Sequence, residues 1–288
     1  MNKLFVAIVL AAITFASCKQ TSEQPASVIS TETKVVSLGG TLTEIISALG
    51  FESNLVGVDV TSTFPASVLQ LPKAGHTRNL TAEGVLSMNP NVVFAYEGEI
   101  NPELQQQLTA AGAKLYLFKA PKSLEDAKSL IHTLADTLGV TEKATELINK
   151  IDEKVAQIQP IEPKPKVLFI YARGAGMLMV AGDNTPIKNI IELAGGQNAV
   201  AGFEEFKPLS PEVLVDANPD VILLFDSGLE SLSGQDGLKL IPGMDKTNAA
   251  KNNAFITMDG QYLNGFSPRV GDAALELNQK LSSFSVTK

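Results

Sequence analysis

Tryptophan is absent from this 288-residue chain, cysteine occurs once and histidine twice. Each shortage excludes something. A single cysteine, Cys18, cannot form an intrachain disulfide, so the fold rests on packing and hydrogen bonds. Two histidines on separate segments do not supply the converging His and acidic ligands of a zinc or manganese carrier. No His-x-x-x-His, Gly-x-Ser-x-Gly elbow or closely paired carboxylates mark a metal-dependent or hydrolytic enzyme, and no enzyme is expected. Cations are short as well: 23 Lys and Arg stand against 31 Asp and Glu, a formal charge of −8. Nucleic acid as a partner needs concentrated Lys and Arg, and is set aside.

What is present begins with "MNKLFVAIVLAAITFASC", in which Lys3 precedes an apolar run from Leu4 to Phe15, then Ala16, Ser17 and Cys18. The run is too short to span a bilayer and has the build of a secretory signal. A lone cysteine at the cleavage position resembles the lipobox of bacterial lipoproteins, whose thiol is acylated. Phe15 departs from that pattern, standing where leucine is usual. Residues 1–17 are therefore expected to be a signal peptide. Cys18 is expected to carry the lipid, and 18–33, polar and small in "SEQPASVISTET", to be a flexible tether. No later run approaches a membrane span, so the lipid is the expected hold on the membrane.

From Lys34 onward, β-rich runs alternate with helical patterns, which predicts parallel α/β architecture: "KVVSL", "TLTEIISALG", "LVGVD", "NVVFAY", and later "KVLFIYA", "TPIKNIIELAGG", "DVILLF". "LTAEGVLSMNPNVVFA" (80–95) aligns without gaps on "LSPEVLVDANPDVILL" (209–224). Thr81 and Ser210 are matched N-cap candidates, and Glu83 and Glu212 fall in the first helical turn, where the helix dipole favours an acid. Between the halves, Leu124, Ala127, Leu130, Ile131, Leu134 and Leu138 keep helical spacing. Gly139 interrupts, Thr141 can recap, and Leu147, Ile148, Ile151 and Val155 continue the stripe. His132 lies beside that stripe and reads as structural or surface. The expected organisation is an α/β lobe over 34–122, a helical connector over 123–163 and a second α/β lobe over 164–288. Two Rossmann-like lobes on one long rigid inter-lobe helix make a cleft, and a cleft without a catalytic constellation suits capture of a ligand.

Several stretches, "VVSLGGTLTEIISALG", "LVGVDVTSTFP", "LPKAGHTRNLTAEGVLSMNPNVVFA", "MVAGDNTPIKNIIELAGGQNAV" and "GFSPR", resemble the periplasmic haem-binding proteins of bacterial haem-import ABC transporters. These lie within the wider group of cobalamin- and siderophore-binding proteins. The resemblance implies a periplasmic, monomeric lipoprotein that carries haem as cargo to an ABC permease dimer with its ATPase. Where the family usually has a tyrosine that coordinates haem iron, this chain has His76. A neutral imidazole is a standard axial ligand and tolerates ferrous iron better than a tyrosinate does. Arg78 is then free to pair with a haem propionate. In "FIYARGAGMLMVAGDNTP", Tyr171 is a candidate second axial ligand, with the methionines Met177 and Met179 as alternatives, and Arg173 a candidate propionate partner. Arg269 of "GFSPR" either faces the cleft or holds its loop. Tyr96 and Tyr262 are weaker candidates for the porphyrin's apolar walls. Glu83 and Glu212, one per half, match the family's docking glutamates, which project toward arginines on the permease. A ferric-siderophore or cobalamin carrier on the same frame is the alternative reading.

Overall fold

The computed structural model describes residues 29–76 and 79–285. The signal peptide and Cys18 lie outside them. Among the described residues, no helix is long and apolar enough to cross a membrane.

The first lobe is built on β1 (Val35–Leu38), α1 (Gly40–Ile46), β2 (Leu55–Val58), α2 (Ala82–Leu86), β3 (Val92–Tyr96), α3 (Pro102–Ala110) and β4 (Lys114–Phe118). Its strands are all parallel, in the order β2-β1-β3-β4. The central pair, β1 and β3, is buried at every position, as expected for strands covered on both faces. Side-chain caps set the helix starts: Thr81 accepts from the Gly84 amide and Asn101 from that of Leu104.

The connector is helical, but in two pieces, α4 (Leu124–Leu138) and α5 (Thr141–Val155). Gly139 takes a left-handed conformation (φ 69°, ψ 31°) that closes α4. α5 then runs back along α4, since Lys128 Nζ lies 2.6 Å from Asp152 Oδ1. The single continuous helix expected from the apolar stripe is thus a hairpin, turned at the glycine that interrupts the stripe.

The second lobe comprises β5 (Lys166–Ala172), β6 (Leu178–Ala181), α6 (Pro186–Leu193), β7 (Gln197–Asn198), β8 (Phe206–Pro208), α7 (Pro211–Ala217) and β9 (Val221–Phe225). It continues with α8 (Asp226–Ser231), α9 (Gln235–Lys239), α10 (Asn248–Lys251), β10 (Phe255–Met258), α11 (Gly260–Asn264) and α12 (Val270–Ser285). β5 pairs in parallel with β7 on one side and β9 on the other, and β9 with β10. The order β7-β5-β9-β10 therefore repeats β2-β1-β3-β4, with an antiparallel β6–β8 pair added beside β5. Register repeats too: Val35 faces Val92 as Val167 faces Val221, and Val92 and Val221 are aligned by the internal match. Ser210 caps α7 as Thr81 caps α2. Asn89 and Asn218 each turn left-handed (φ 51° and 38°) ahead of a proline. The sequence repeat is a structural repeat.

The lobes share one core. A single buried cluster runs from Ile45 and Leu49 through Leu134 and Ile151 to Phe169, Ile190 and Leu277, so separating the lobes would expose apolar surface from both. Residues 29–33, expected to belong to the tether, are tied to the lobe at two points, although 30–32 are exposed. Ile29 is buried in that cluster, and Asn54 donates to the Ser30 and Thr33 carbonyls at 2.8 and 2.9 Å.

Candidate functional site

The segments that leave the carboxyl ends of the two parallel sheets meet each other. After β1, Thr41 Oγ1 donates to the Gly265 carbonyl, which follows α11, at 2.6 Å. After β4, Lys122 Nζ donates to the Asn184 carbonyl at 3.2 Å and pairs with Glu205 at 2.8 Å. Asn189 returns a bond to the Lys122 carbonyl at 2.8 Å. The first of these bonds lies past the carboxyl ends of β1 and β10, the edge where open α/β sheets hold ligands, whereas Asn184 and Glu205 flank the β6–β8 pair toward the amino end of β5.

On the first lobe, His76 is half-buried on a loop pinned to the end of β2. The Val58 amide donates to Pro72 at 3.0 Å, Ala74 to Val58 at 2.8 Å and Val60 to Gly75 at 3.1 Å. Beyond it, the Asn79 amide donates to the His76 carbonyl at 2.8 Å. Arg78, the expected propionate partner, lies outside the described residues. Tyr96 lies under the floor of the cleft rather than in its wall. Its ring fills the space a side chain at Gly39 (φ 153°) would take, a built Cβ there lying 2.6 Å from Tyr96 Cε2. Burial, opposed by a bond with Thr41, raises the Tyr96 phenol well above its ordinary range.

On the second lobe, the period-2 alternation of β5 puts Phe169 and Tyr171 on one face. Tyr171 packs edge-on against Phe225, centroids 6.3 Å apart. Arg173 Nε donates to the Tyr171 hydroxyl at 2.5 Å, with its guanidinium 5.6 Å from the ring centre. A tight turn from Arg173 to Met177 is closed by the Arg173 amide donating to Met177 at 3.0 Å. The Gly174 amide ties the turn to Ser231 Oγ on α8 at 2.9 Å. Met179 stands opposite Tyr171 in the β5–β6 register and shares its face. Met177 is exposed at the tip. Tyr171, Arg173 and Met179 are therefore one cluster, with Met177 at the tip of the adjoining turn. Phe225 was not singled out in the sequence, although the repeat aligns it with Tyr96.

Arg269 is committed elsewhere. Its Nε and Nη2 lie 2.8 and 2.6 Å from Glu44 Oε2 and Oε1, and the Glu44 side chain is 2% exposed. The guanidinium sits between Phe64 and Tyr262, 3.9 and 4.9 Å from the ring centres. Burial works against its charge, but Glu44 outweighs it and raises its pKa. Burial, aided by Glu276 and Asp272, pushes the Tyr262 phenol up to about 12. Of the two open roles for Arg269, this geometry serves the holding one, and Tyr262 goes with it.

Glu83 and Glu212 are exposed in the first turns of α2 and α7. The Glu212 carboxyl is held below its ordinary range by its own amide and the Ser210 hydroxyl. His132 is exposed on α4. Among the described residues, no three His, Cys, Asp or Glu side chains form a metal-holding group.

A profile of the periplasmic binding protein family matches residues 35–262. The chain is similar to the apo structure of the periplasmic heme-binding protein RhuT from Roseiflexus sp. RS-1. Identity is 41%, TM-score 0.84, and the match covers 88% of this chain and 99% of that one. It is 25% identical over 255 residues to the ABC transporter substrate-binding lipoprotein YvrC of Bacillus subtilis, covering 86% of this chain and 79% of that one. It is 24% identical over 254 residues to the vitamin B12-binding protein of Photorhabdus laumondii, covering 86% and 88%.

Proposed function

This chain belongs to the periplasmic binding protein family, whose members bind solutes rather than catalyse reactions, and we propose that its cargo is haem. In this reading it is a periplasmic lipoprotein, anchored through Cys18 after removal of 1–17. It captures haem between lobes spanning 34–122 and 164–288, linked by 123–163, and delivers it as a monomer to an ABC permease dimer with its ATPase.

The observation that carries the reading is His76, a half-buried imidazole fixed at the carboxyl edge of the first sheet, in a chain 41% identical to a heme-binding protein. A neutral imidazole supplies a lone pair to iron without adding charge. Tyr171 is the ligand from the opposite lobe. The bond from Arg173 fixes where its hydroxyl oxygen lies. Arg78 and Arg173 serve the propionates, and the exposed Met177 supplies apolar contact at the rim. Glu83 and Glu212 dock the two lobes on the permease, one per half of a two-fold partner.

A cobalamin carrier is the second reading, favoured by the likeness to a vitamin B12-binding protein. Titration of residues 19–288 with haemin and, separately, with cyanocobalamin discriminates them. Saturable haemin binding that excess cyanocobalamin does not displace is expected. Saturable cyanocobalamin binding with haemin adsorbing only non-saturably would replace haem by a corrinoid.

A further inference from the structure

Asp59 stands just past β2 and is completely buried. Gly39 N–H and Ser62 Oγ donate to its Oδ1 at 3.1 and 2.6 Å. Thr61 donates twice to Oδ2, through its amide at 3.0 Å and through its hydroxyl. The network continues: Thr43 Oγ1 donates to Ser37 Oγ at 2.9 Å and lies 2.8 Å from Ser62 Oγ, and all three residues are fully buried. The Gly40 amide donates to Thr61 Oγ1 at 3.2 Å. Lys73 Nζ, from the far side, donates to the Ser62 and Val68 carbonyls at 3.2 and 3.1 Å.

Apolar side chains would fill this volume without needing partners, whereas a buried carboxylate is costly unless every bond is made. What such a closed network supplies is a fixed geometry. Two segments hang from it. One is Gly39–Gly40, the floor at the start of α1. The other is residues 58–62, against which 72–75 are zipped by the Pro72, Val58 and Gly75 bonds, ending one residue short of His76. By taking the Gly39 amide, Asp59 also occupies the N-cap donor of α1.

We propose that Asp59, with Thr61 and Ser62, is the positioning set for His76: it locks the imidazole-bearing loop to the cleft floor, so that the iron is met in one geometry. This rests on the haem reading and goes beyond it by naming what holds the ligand.

Thr61→Val keeps the side-chain shape while removing the hydroxyl that bonds both Asp59 and Gly40, and Ser62→Ala removes one donor. Haem loss to excess apomyoglobin is followed in wild type, in each of these variants, in His76→Ala, and in His76→Ala combined with Thr61→Val. Thr61→Val is expected to speed haem loss about tenfold and to shift or broaden the Soret band, with Ser62→Ala a smaller change in the same direction. In the His76→Ala background the same substitution is expected to change the rate about twofold or less, because the residue it positions is gone. Equal acceleration in both backgrounds, or none in either, overturns the assignment while leaving haem capture standing. A wild-type chain that binds no haemin saturably overturns the haem reading and this assignment with it.

Discussion

Arg269 grips both carboxylate oxygens of Glu44 across the line where the lobes meet, at 2.8 and 2.6 Å. Glu44 belongs to α1 of the first lobe, and Arg269 precedes α12 of the second. Thr41 bonding to the Gly265 carbonyl lies beside this pair, and the Lys122–Glu205 pair crosses between the lobes after β4. Together with the shared core, these contacts make the interface a fixed frame for the cleft.

Substituting either partner should therefore cost stability more than affinity. Arg269→Met leaves an almost fully buried carboxylate unpaired, and a loss of about 3 kcal/mol in urea unfolding is expected. Ligand affinity, measured on the fraction that remains folded, should change by less than about twofold. A large loss of affinity with unchanged unfolding would mean that Arg269 binds ligand directly.

Lobe closure should be small. Scattering profiles with and without ligand should give radii of gyration within about 1 Å of each other. A clearly larger contraction would show that the frame hinges.

Tyr262 makes stability sensitive to alkali. Its folded pKa is about 12 against an ordinary 10.0. Above pH 10 the unfolded chain releases this proton while the folded chain keeps it, so deprotonation favours unfolding. The contribution is present in full below about pH 10 and lost between there and about pH 12. Melting temperature should fall over that window, less steeply in Tyr262→Phe. Parallel curves for the two proteins would assign the alkaline loss to other groups, of which Tyr96 is the first to test.

Glu83→Lys and Glu212→Lys should leave ligand binding unchanged and weaken stimulation of the transporter ATPase, the double substitution most of all. Both side chains are exposed. Undiminished stimulation by the double variant would return these acids to their role at the helix N-termini alone.

Much of this was legible in the sequence because the signals are local. Thr81, Ser210 and Ser123 cap helices through the side chains that mark them. The gapless repeat announces the repeated sheet order, because each copy carries its cap, its left-handed Asn and its buried strand. The turn between α4 and α5 was signalled by Gly139. The apolar stripe continues past it with helical spacing, and only the left-handed conformation decides that the chain reverses. Asp59 reads as the polar end of a strand, because its burial depends on donors from a second segment, at Gly39. Arg269 finds its partner 225 positions away, a separation no local pattern reports. Tyr96 and Tyr171 look alike as strand-ending tyrosines. Tyr96 is drawn under the floor because Gly39 beside it has no side chain.

The measurement that bears most directly on the central claim is a haemin titration of residues 19–288, followed by absorbance, on wild type and His76→Ala. The account predicts a saturable Soret shift in wild type, and a band that is displaced and weaker in affinity in the variant. Saturable binding with an identical Soret band in both proteins would contradict His76 as the iron ligand.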